Sequence, residues 1–457
     1  MKIILLSGGS GKRLWPLSND SRSKQFLKLL PHPEGQFESM IQRVWRQLQQ
    51  SGLEKDVFIS TNKTQSEIIQ NQLGADVPFI LEPSRMDTFP AIALAVTYLH
   101  SVEQISKDEI IVVLPVDPYV SDSFYGAIKN LEELLITTGA DIGLIGIKPT
   151  YPSEKYGYII PKLKQDKLTH EVDYFIEKPD ELEASKLIEN NRAMWNAGVF
   201  AFRVKYLLKI LESCNITTDY SLLLKKYNTL PKISFDYQVV EKSKNLIYIT
   251  YNEKWKDLGT WNTLTEEMAC PSIGKGVISK DSINTHLINE LDIPVVILGT
   301  SNTIVAASLD GILVATKEAS TKIKNYENNF MNRPMYEEKR WGYSRVVDYF
   351  KENNDMEVIT KRINIIKGNN LSYQYHRKKT EIWTILTGEG VFVFNGEIRR
   401  VLPGELLHIP PFSKHAILAR TDLEIIEVQM GPEVIEEDIE RICYNWDEII
   451  LQGIKLP

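Results

Sequence analysis

The chain has 457 residues, 25% of them charged and 43% apolar, with a formal net charge of −7, which describes a soluble globular protein long enough for two or three domains. The acidic balance excludes a general nucleic-acid binder, and the shortness of the apolar runs excludes a secretory core or a membrane span. Three widely spaced cysteines, Cys214, Cys270 and Cys443, form neither a disulfide framework nor a zinc pattern, so a reducing cytoplasm is the expected compartment.

In chain order, the strand-length run Ile3 to Leu6 leads into Gly8, Gly9 and Gly11, then Lys12 and Arg13. Such glycines let main-chain N–H groups crowd around a bulky anion, and Arg13 adds fixed positive charge. The turn is not a P-loop, because Leu6 stands where its first glycine belongs and Arg13 where Ser or Thr must follow the lysine. Nor is it a dinucleotide fingerprint, because no third glycine follows Gly9-Ser10-Gly11. Up to about residue 265, short β-rich runs such as DVFIS, EIIVVLPVD and DIGLIGI alternate with helix-like stretches such as ESMIQRVWRQLQQ and AIALAVTYLHSV. This alternation predicts an α/β domain with a largely parallel sheet and a ligand site beyond the strand C-terminal ends. The glycine turn and Asp117 fall at such ends, where a carboxylate has no packing use and can face a cleft. Lys24 adds a second cation, LEPSRMDTFPA supplies Glu82 and Asp87 before a helix expected near Pro90, and WKDLGTW places Asp257 on a glycine-containing turn.

Residues 266–330 change to short strands with turn residues between them, which predicts a small β unit, helical in its winding. Residues 325–337 are polar and read as a linker. From 338 to 430 strands spaced by glycine turns predict a β-sandwich or jelly roll. The tail, 431–457, has apolar residues at helical spacing and reads as a docked amphipathic helix. In the β-rich region Gln374 and His376 are two apart and share a strand face, Glu381 lies on the next stretch, and His415 returns from a later one. His408, between Leu407 and Ile409, reads as packing.

Eight ordered segments, GGSGKRLWPLS, SKQFL, LEPSRMDT, LPVD, FIEKP, WNAGVF, FDYQVVEK and WKDLGTW, resemble the bacterial GDP-mannose pyrophosphorylase family, mannose-1-phosphate guanylyltransferases that often carry a type II mannose-6-phosphate isomerase region. The resemblance implies an α/β nucleotidyltransferase domain (Rossmann-like, GT-A type) over 1–265, a β-helix-like connecting unit, and a C-terminal cupin β-barrel. It implies transfer of GMP from GTP to mannose 1-phosphate with release of pyrophosphate. Leu6, Gly8, Gly9, Gly11, Arg13 and Lys24 would hold the nucleotide, with Glu82 and Asp87 near the nucleoside. Asp117 and Asp257 would bind Mg²⁺, a hard cation suited to carboxylate and phosphate oxygens. Lys178 would contact a phosphate, while Gly157, Glu177 and Asn196 would take the sugar. Arg13, Lys24, Asp117 and Lys178 form the implied catalytic set. Gln374, His376, Glu381 and His415 resemble the cupin metal set, whose nitrogen and oxygen ligands fit Zn²⁺ or another divalent transition metal.

The chain departs from the family pattern in several places. Met86-Asp87-Thr88 stands where members usually read Arg-Asn-Thr, Ser23 where they usually have Pro, and Pro118 where they often have His. Lys379-Thr380-Glu381-Ile382-Trp383 stands where bifunctional relatives read Arg-Ala-Glu-His-Trp, and Phe412 stands at a usual glycine. Metal binding in the cupin therefore does not by itself imply isomerisation. Two alternatives stay open: another sugar 1-phosphate, such as a heptose, or another base, with a non-catalytic cupin; and a non-catalytic sugar-nucleotide sensor. A homodimer is the commonest assembly for such a chain, and neither nucleic acid nor membrane is an expected partner.

Overall fold

Ile3, Ile4 and Leu5, in the strand Lys2–Leu6, are fully buried. Ile3 and Leu5 join one apolar cluster and Ile4 another, so both faces of the sheet are covered, as a parallel strand requires. This is a computed structural model, which describes residues 1–9, 12–19, 21–164, 167–329, 333–352 and 356–451. The chain folds as two units, Met1–Leu14 with Ser23–Cys270, and Trp15–Arg22 with Pro271–Pro457.

The first unit is built on a nine-stranded sheet. Its order is Phe79–Glu82, Val57–Asn62, Lys2–Leu6, Ile110–Pro115, Met194–Arg203, Ile142–Ile147, Leu246–Tyr251, Lys167–Glu177, Gly157–Lys164. The first four run parallel. Met194–Arg203 is antiparallel to both neighbours, and the last two strands form an antiparallel hairpin. The sheet is therefore mixed, with its parallel half carrying the glycine turn. Met40–Gln50 starts at a Ser39–Gln42 capping box, which satisfies two orphan helix-end donors. The helix Thr88–Ser101 starts at Asp87, which caps it, so Pro90 lies inside its first turn, where a missing N–H costs nothing.

In the second unit, Ser272–Gly274, His286–Asn289 and Thr303–Ser308 pair in parallel at intervals of one short coil, giving the helical winding expected. Gly311–Thr316 then turns back antiparallel. Residues Trp15–Arg22 pack in this unit. Ser308 Oγ donates to Pro16 O at 2.7 Å, Asn19 Nδ2 to Asp310 at 2.7 Å, and Arg22 Nη1 to both Glu290 oxygens at 2.9 and 3.0 Å. Trp15 lies so close to Gly311 that a Cβ there would stand 2.5 Å from the indole. The segment GGSGKRLWPLS, quoted in sequence as one stretch of the family resemblance, is thus divided between the two units after Leu14.

The cupin comprises a six-stranded and a five-stranded sheet enclosing Ile363, Ile365, Trp383, Ile385, Phe392, Ile417, Leu423 and Ile425. Three expectations need correction. The polar stretch 325–337 is not plain linker: a 3-10 segment covers Ala319–Asn329 and a strand begins at Tyr336, residues 330–332 lying outside the described residues. The tail is not one helix. Ile439–Cys443 is a strand paired with Tyr373–His376, and among the described residues the tail's helical parts are a 3-10 turn at Glu436–Asp438 and the α-helix Trp446–Leu451. The backbone of Tyr373–His376 needs a ladder partner, and satisfying it overrides the helical spacing. His408 is exposed, because the period of two that buries Leu407 and Ile409 turns it outward.

Candidate active site

The glycine turn is held from beneath by a buried polar lattice. Ser23 Oγ donates to Gly9 O at 2.8 Å, and Gln65 Nε2 donates to both Gly9 O (3.0 Å) and Ser23 Oγ (2.7 Å). The single Thr61 Oγ1–H is shared between Ser7 O at 3.1 Å and Gln65 Oε1 at 3.2 Å. Ser23, Thr61 and Gln65 are fully buried, so water does not replace a hydrogen bond lost here. Gln65, which nothing in the sequence singled out, therefore ties the turn to the residue preceding Lys24. Gly11 lies outside the described residues, as does the side chain of Lys12. Leu6, at the strand end, pairs with Ser60 and Pro115. A Cβ on Gly8 would meet Glu82 Oε1 at 3.3 Å, so the turn and that carboxylate are in contact.

Lys24 Nζ stands 2.7 Å from Asp117 Oδ2 and 3.5 Å from Asp257 Oδ1. The two carboxylates, 140 positions apart in sequence, are joined because the strands Pro118–Val120 and Trp255–Asp257 pair antiparallel, Asp257 opposite Pro118. Burial opposes charge on Asp117, but the Lys24 ammonium outweighs it and holds the carboxyl below its ordinary value. The donor set, ionised carboxylate oxygens facing a cavity, fits a hard divalent cation. Arg13 is exposed, and its charge acts on both Asp117 and Lys24.

A cavity of about 200 Å³ opens beside them, lined by Asp117 and Asp257 and also by Gly157, Glu177, Asn196, Gly198 and Asp236. Gly157 has to be glycine: a Cβ would stand 2.4 Å from Phe175 Cζ and 2.6 Å from Glu177 Oε2. Lys178, with a left-handed φ of 49°, pairs with Glu177 Oε1 at 2.7 Å. Asn196 Oδ1 accepts from Gly198 N and its Nδ2 donates to Asp236 Oδ1 at 3.0 Å. Glu82 accepts from Tyr227 and Ser60, and burial raises its carboxyl against those bonds. Asp87 is an exposed helix cap, its charge among those raising Glu177, for which burial is the larger cause.

Asp236 was not assigned a role from sequence, although it sits in FDYQVVEK. Burial, then the charge of Glu177, push its carboxyl up to about 7. A folded-state acid raised above its unfolded value costs stability that is absent below the unfolded pKa and complete above the folded one. Asp236→Asn is therefore expected to raise the melting temperature of the full chain at pH 8 and to leave it nearly unchanged at pH 4, measured by calorimetry.

In the cupin, His376, Glu381 and His415 offer ligand atoms lying within 4.8 Å of one another. His376 Nε2 is 3.0 Å from Glu381 Oε1 and His415 Nε2 3.5 Å from Oε2, yet neither nitrogen has a hydrogen-bond partner of good geometry. His415 Nδ1 faces Ser413 O at 2.9 Å and must donate to it, which leaves the Nε2 lone pair free. Burial pushes His376 down against the pull of Glu381. Burial alone would raise Glu381, but the two imidazoles and Lys379 hold it well below the usual range. A neutral imidazole beside an ionised carboxylate, with orphaned buried nitrogens, fits a transition metal. Gln374 is buried in the same sheet, paired with His415, and its Oε1 accepts from Ser372 at 2.7 Å. Phe412 keeps the left-handed backbone of the glycine it replaces, at φ 63°.

Residues 2–270 match the family model described as nucleotidyl transferase, and residues 326–443 match mannose-6-phosphate isomerase C-terminal. The chain belongs to the nucleotidyl transferase family. A mannose-1-phosphate guanylyltransferase of Escherichia coli is 29% identical over 96% of this chain and 98% of its own length. A putative mannose-1-phosphate guanylyltransferase of Vibrio cholerae is 28% identical, over 96% and 98%. The crystal structure of a Thermus thermophilus protein described as mannose-1-phosphate geranyltransferase superposes with a TM-score of 0.61 at 26% identity, covering 72% of this chain and 99% of that one. Among the described residues no helix is long and apolar enough to cross a membrane.

In this nucleotidyl transferase, Ser23 occupies the position where the family pattern has proline. Its φ of −72° is one a proline would adopt, so the hydroxyl lattice does by hydrogen bonding what a ring does by covalent restraint. Gln65→Leu, which removes both donated bonds and leaves Gly9 O with the Ser23 bond alone, is expected to raise KM for the nucleotide severalfold, roughly the kinetic equivalent of the 0.5–1.5 kcal/mol of a typical hydrogen bond. Steady-state kinetics with varied nucleotide checks it, with Ser23→Thr as the variant that keeps the hydroxyl and the affinity.

Proposed function

We propose that the chain transfers GMP from GTP to mannose 1-phosphate. The observation that carries the reading is the sharing of Lys24 by Asp117 and Asp257 next to the glycine turn. An oxygen of the sugar phosphate forms the new bond to the α-phosphorus as the α–β bridge breaks, and pyrophosphate takes the electron pair. Such a transfer asks the protein for in-line placement and neutralised charge rather than covalent participation. Asp117 and Asp257 would hold Mg²⁺, which when bound supplies Lewis-acid neutralisation of phosphate oxygens. Arg13 and Lys24 neutralise the departing pyrophosphate, and the turn's amides cradle the triphosphate. Lys178 screens the sugar phosphate.

Glu82 supports guanine. A carboxylate is an acceptor-only group, matched to a base edge that presents two adjacent donors, as guanine does with its N1–H and amino group. Adenine presents no such pair there. The test is a panel of GTP, ATP, CTP and UTP against mannose 1-phosphate and other sugar 1-phosphates, read by pyrophosphate release. No release with GTP and mannose 1-phosphate would reject the proposal.

A second activity, interconversion of mannose 6-phosphate and fructose 6-phosphate, is favoured by one observation. A cavity of about 210 Å³ in the cupin is lined by Lys379 and Gln429, both of which touch Glu381 Oε1, and by Lys361 and Arg333. Lys379, Lys361 and Arg333 would serve as cations for a sugar phosphate beside the ligand set for Zn²⁺ or a similar ion, in a cavity that Glu337, Glu436 and Glu437 also line. A coupled fructose 6-phosphate assay on the metal-loaded protein decides between isomerase and a structural metal site. The expected assembly is a homodimer, checked by light scattering. The compartment we infer is the cytoplasm, in keeping with three widely spaced cysteines, Cys214, Cys270 and Cys443, whose spacing forms no disulfide framework.

A further inference from the structure

We propose that the Tyr119 ring, gripped by the cations of Arg43 and Lys254, is the positioning residue that holds Asp117 and Asp257 at the spacing of one shared divalent ion. This rests on the metal assignment in the transferase reading above. Pro118–Val120 and Trp255–Asp257, the strands that bring the two carboxylates together, form a two-stranded ribbon of three residues each, separate from the nine-stranded sheet. A two-stranded ribbon is marginal by itself. The spacing of the carboxylates therefore depends on side chains that anchor both strands.

Each strand has its own anchor. On the first, Val120 O accepts from Arg43 Nη2 and from Gln47 Nε2, both at 3.2 Å, which fastens it to the helix Met40–Gln50. On the second, Lys254, the residue before Trp255, pairs with Glu267 Oε2 at 2.6 Å. Tyr119 joins the two. The Arg43 guanidinium carbon lies 4.4 Å from its ring centroid and Lys254 Nζ 4.8 Å, both inside the ~6 Å reach of a cation–π attraction. Arg43 Nε is buried without a hydrogen-bond acceptor, so the electron-rich ring is what compensates that edge of the guanidinium.

The clamp sits one residue from Pro118, which Asp257 faces, and two from Asp117. Two carboxylates share an ion only when their oxygens converge, and fixing them beforehand removes an ordering cost from binding. Removing a group that merely supports a metal ligand lowers affinity by roughly 10- to 100-fold. An aromatic ring suits this position because it attracts two cations without carrying a charge that competes with Asp117 and Asp257. An aliphatic side chain in its place would leave Arg43 and Lys254 with nothing between them to offset their repulsion.

The test uses the full-length protein with GTP and mannose 1-phosphate, comparing wild type, Tyr119→Phe and Tyr119→Leu. We expect Tyr119→Leu to raise the Mg²⁺ concentration for half-maximal rate about tenfold, with kcat at saturating Mg²⁺ less affected, while Tyr119→Phe, which keeps the ring face, stays near the wild type. A second readout is independent of turnover. Calorimetry without sugar phosphate should show that the wild type binds GTP more tightly with Mg²⁺ than with chelator, and that this gain shrinks by a similar factor in Tyr119→Leu but not in Tyr119→Phe. A tyrosine that merely supports the fold would lower the melting temperature and leave both readouts unchanged; that result overturns the proposal, as does a phenylalanine variant impaired as much as the leucine one. Should Tyr119→Leu fail to fold, Lys254→Met decides, because Lys254 is 51% exposed and Glu267 keeps Lys256. The half-saturating Mg²⁺ should then rise roughly two- to threefold for one lost cation, and an unchanged value overturns the clamp. If no sugar phosphate is accepted, the transferase reading fails while the Mg²⁺ dependence of GTP binding still tests Tyr119. Indifference of wild-type transfer and GTP binding to Mg²⁺ overturns both.

Discussion

Asp117→Ala is expected to lower kcat for GMP transfer by roughly 10³-fold, the rate equivalent of the several kcal/mol that a bound divalent ion supplies to a phosphoryl transition state. Asp117 is the closer of the two carboxylates to Lys24, at 2.7 Å against 3.5 Å, and the one whose carboxyl the ammonium holds down. Its loss leaves one acidic ligand and lets Lys24 collapse onto Asp257, which removes a cation from the phosphates at the same stroke. Asp257→Ala should move in the same direction. The double variant should be little worse than either single one, because both side chains serve a single ion. Pyrophosphate release measured across a Mg²⁺ titration checks this: the variant curve should lie to the right as well as below. Turnover at the wild-type rate in Asp117→Ala would remove the metal assignment.

Glu381→Ala is expected to abolish stoichiometric metal in the cupin, with affinity lower by more than about 100-fold, since substitutions that merely support a ligand already cost 10- to 100-fold. Glu381 receives Gln429 and Trp383 hydrogen bonds and stands against Lys379. Its removal leaves the two imidazoles without an acidic ligand and the buried Lys379 ammonium with Glu427 as its remaining carboxylate neighbour. Elemental analysis of the purified full chain, with and without added Zn²⁺, reads the result. The wild type should also melt at a higher temperature with metal than with chelator, because a ligand that binds only the folded state stabilises it by mass action, and the variant should show no such difference. Transferase turnover should persist in Glu381→Ala. Full metal occupancy in the variant would place the ion elsewhere.

Much of the local structure was legible in the sequence. The run Ile3 to Leu6, the glycine turn, the alternation of strands and helices, and the period of two that seats Leu407 and Ile409 are all set by neighbours a few residues apart, and periodicity reports on those. Even Phe412 shows how strong a local backbone demand is, since the left-handed conformation survives the loss of its glycine. Residue types also announced chemistry where packing gave them no use, as with Asp117 at the end of the apolar strand Ile110–Pro115.

Where periodicity misled, a distant partner was the cause. Helical spacing around Ile439–Cys443 yielded to the ladder of Tyr373–His376, and the continuous-looking segment through Trp15 was parted by contacts with Ser308, Asp310 and Glu290. Gln65 lies in no quoted segment, and Asp236, although inside FDYQVVEK, had no role there that its own residue type announced, because their roles lie in what they touch: Gly9 and Ser23 for one, Asn196 and a shared cavity for the other. The sequence by itself determined the kinds of element, the anion-holding turn and most of the reactive side chains, since each is dictated by short-range sterics or by the chemistry of one residue. Only the tertiary structure decided which of those side chains share a proton, an ion or a ligand, because charges and hydrogen bonds act over a few ångströms of space irrespective of separation along the chain.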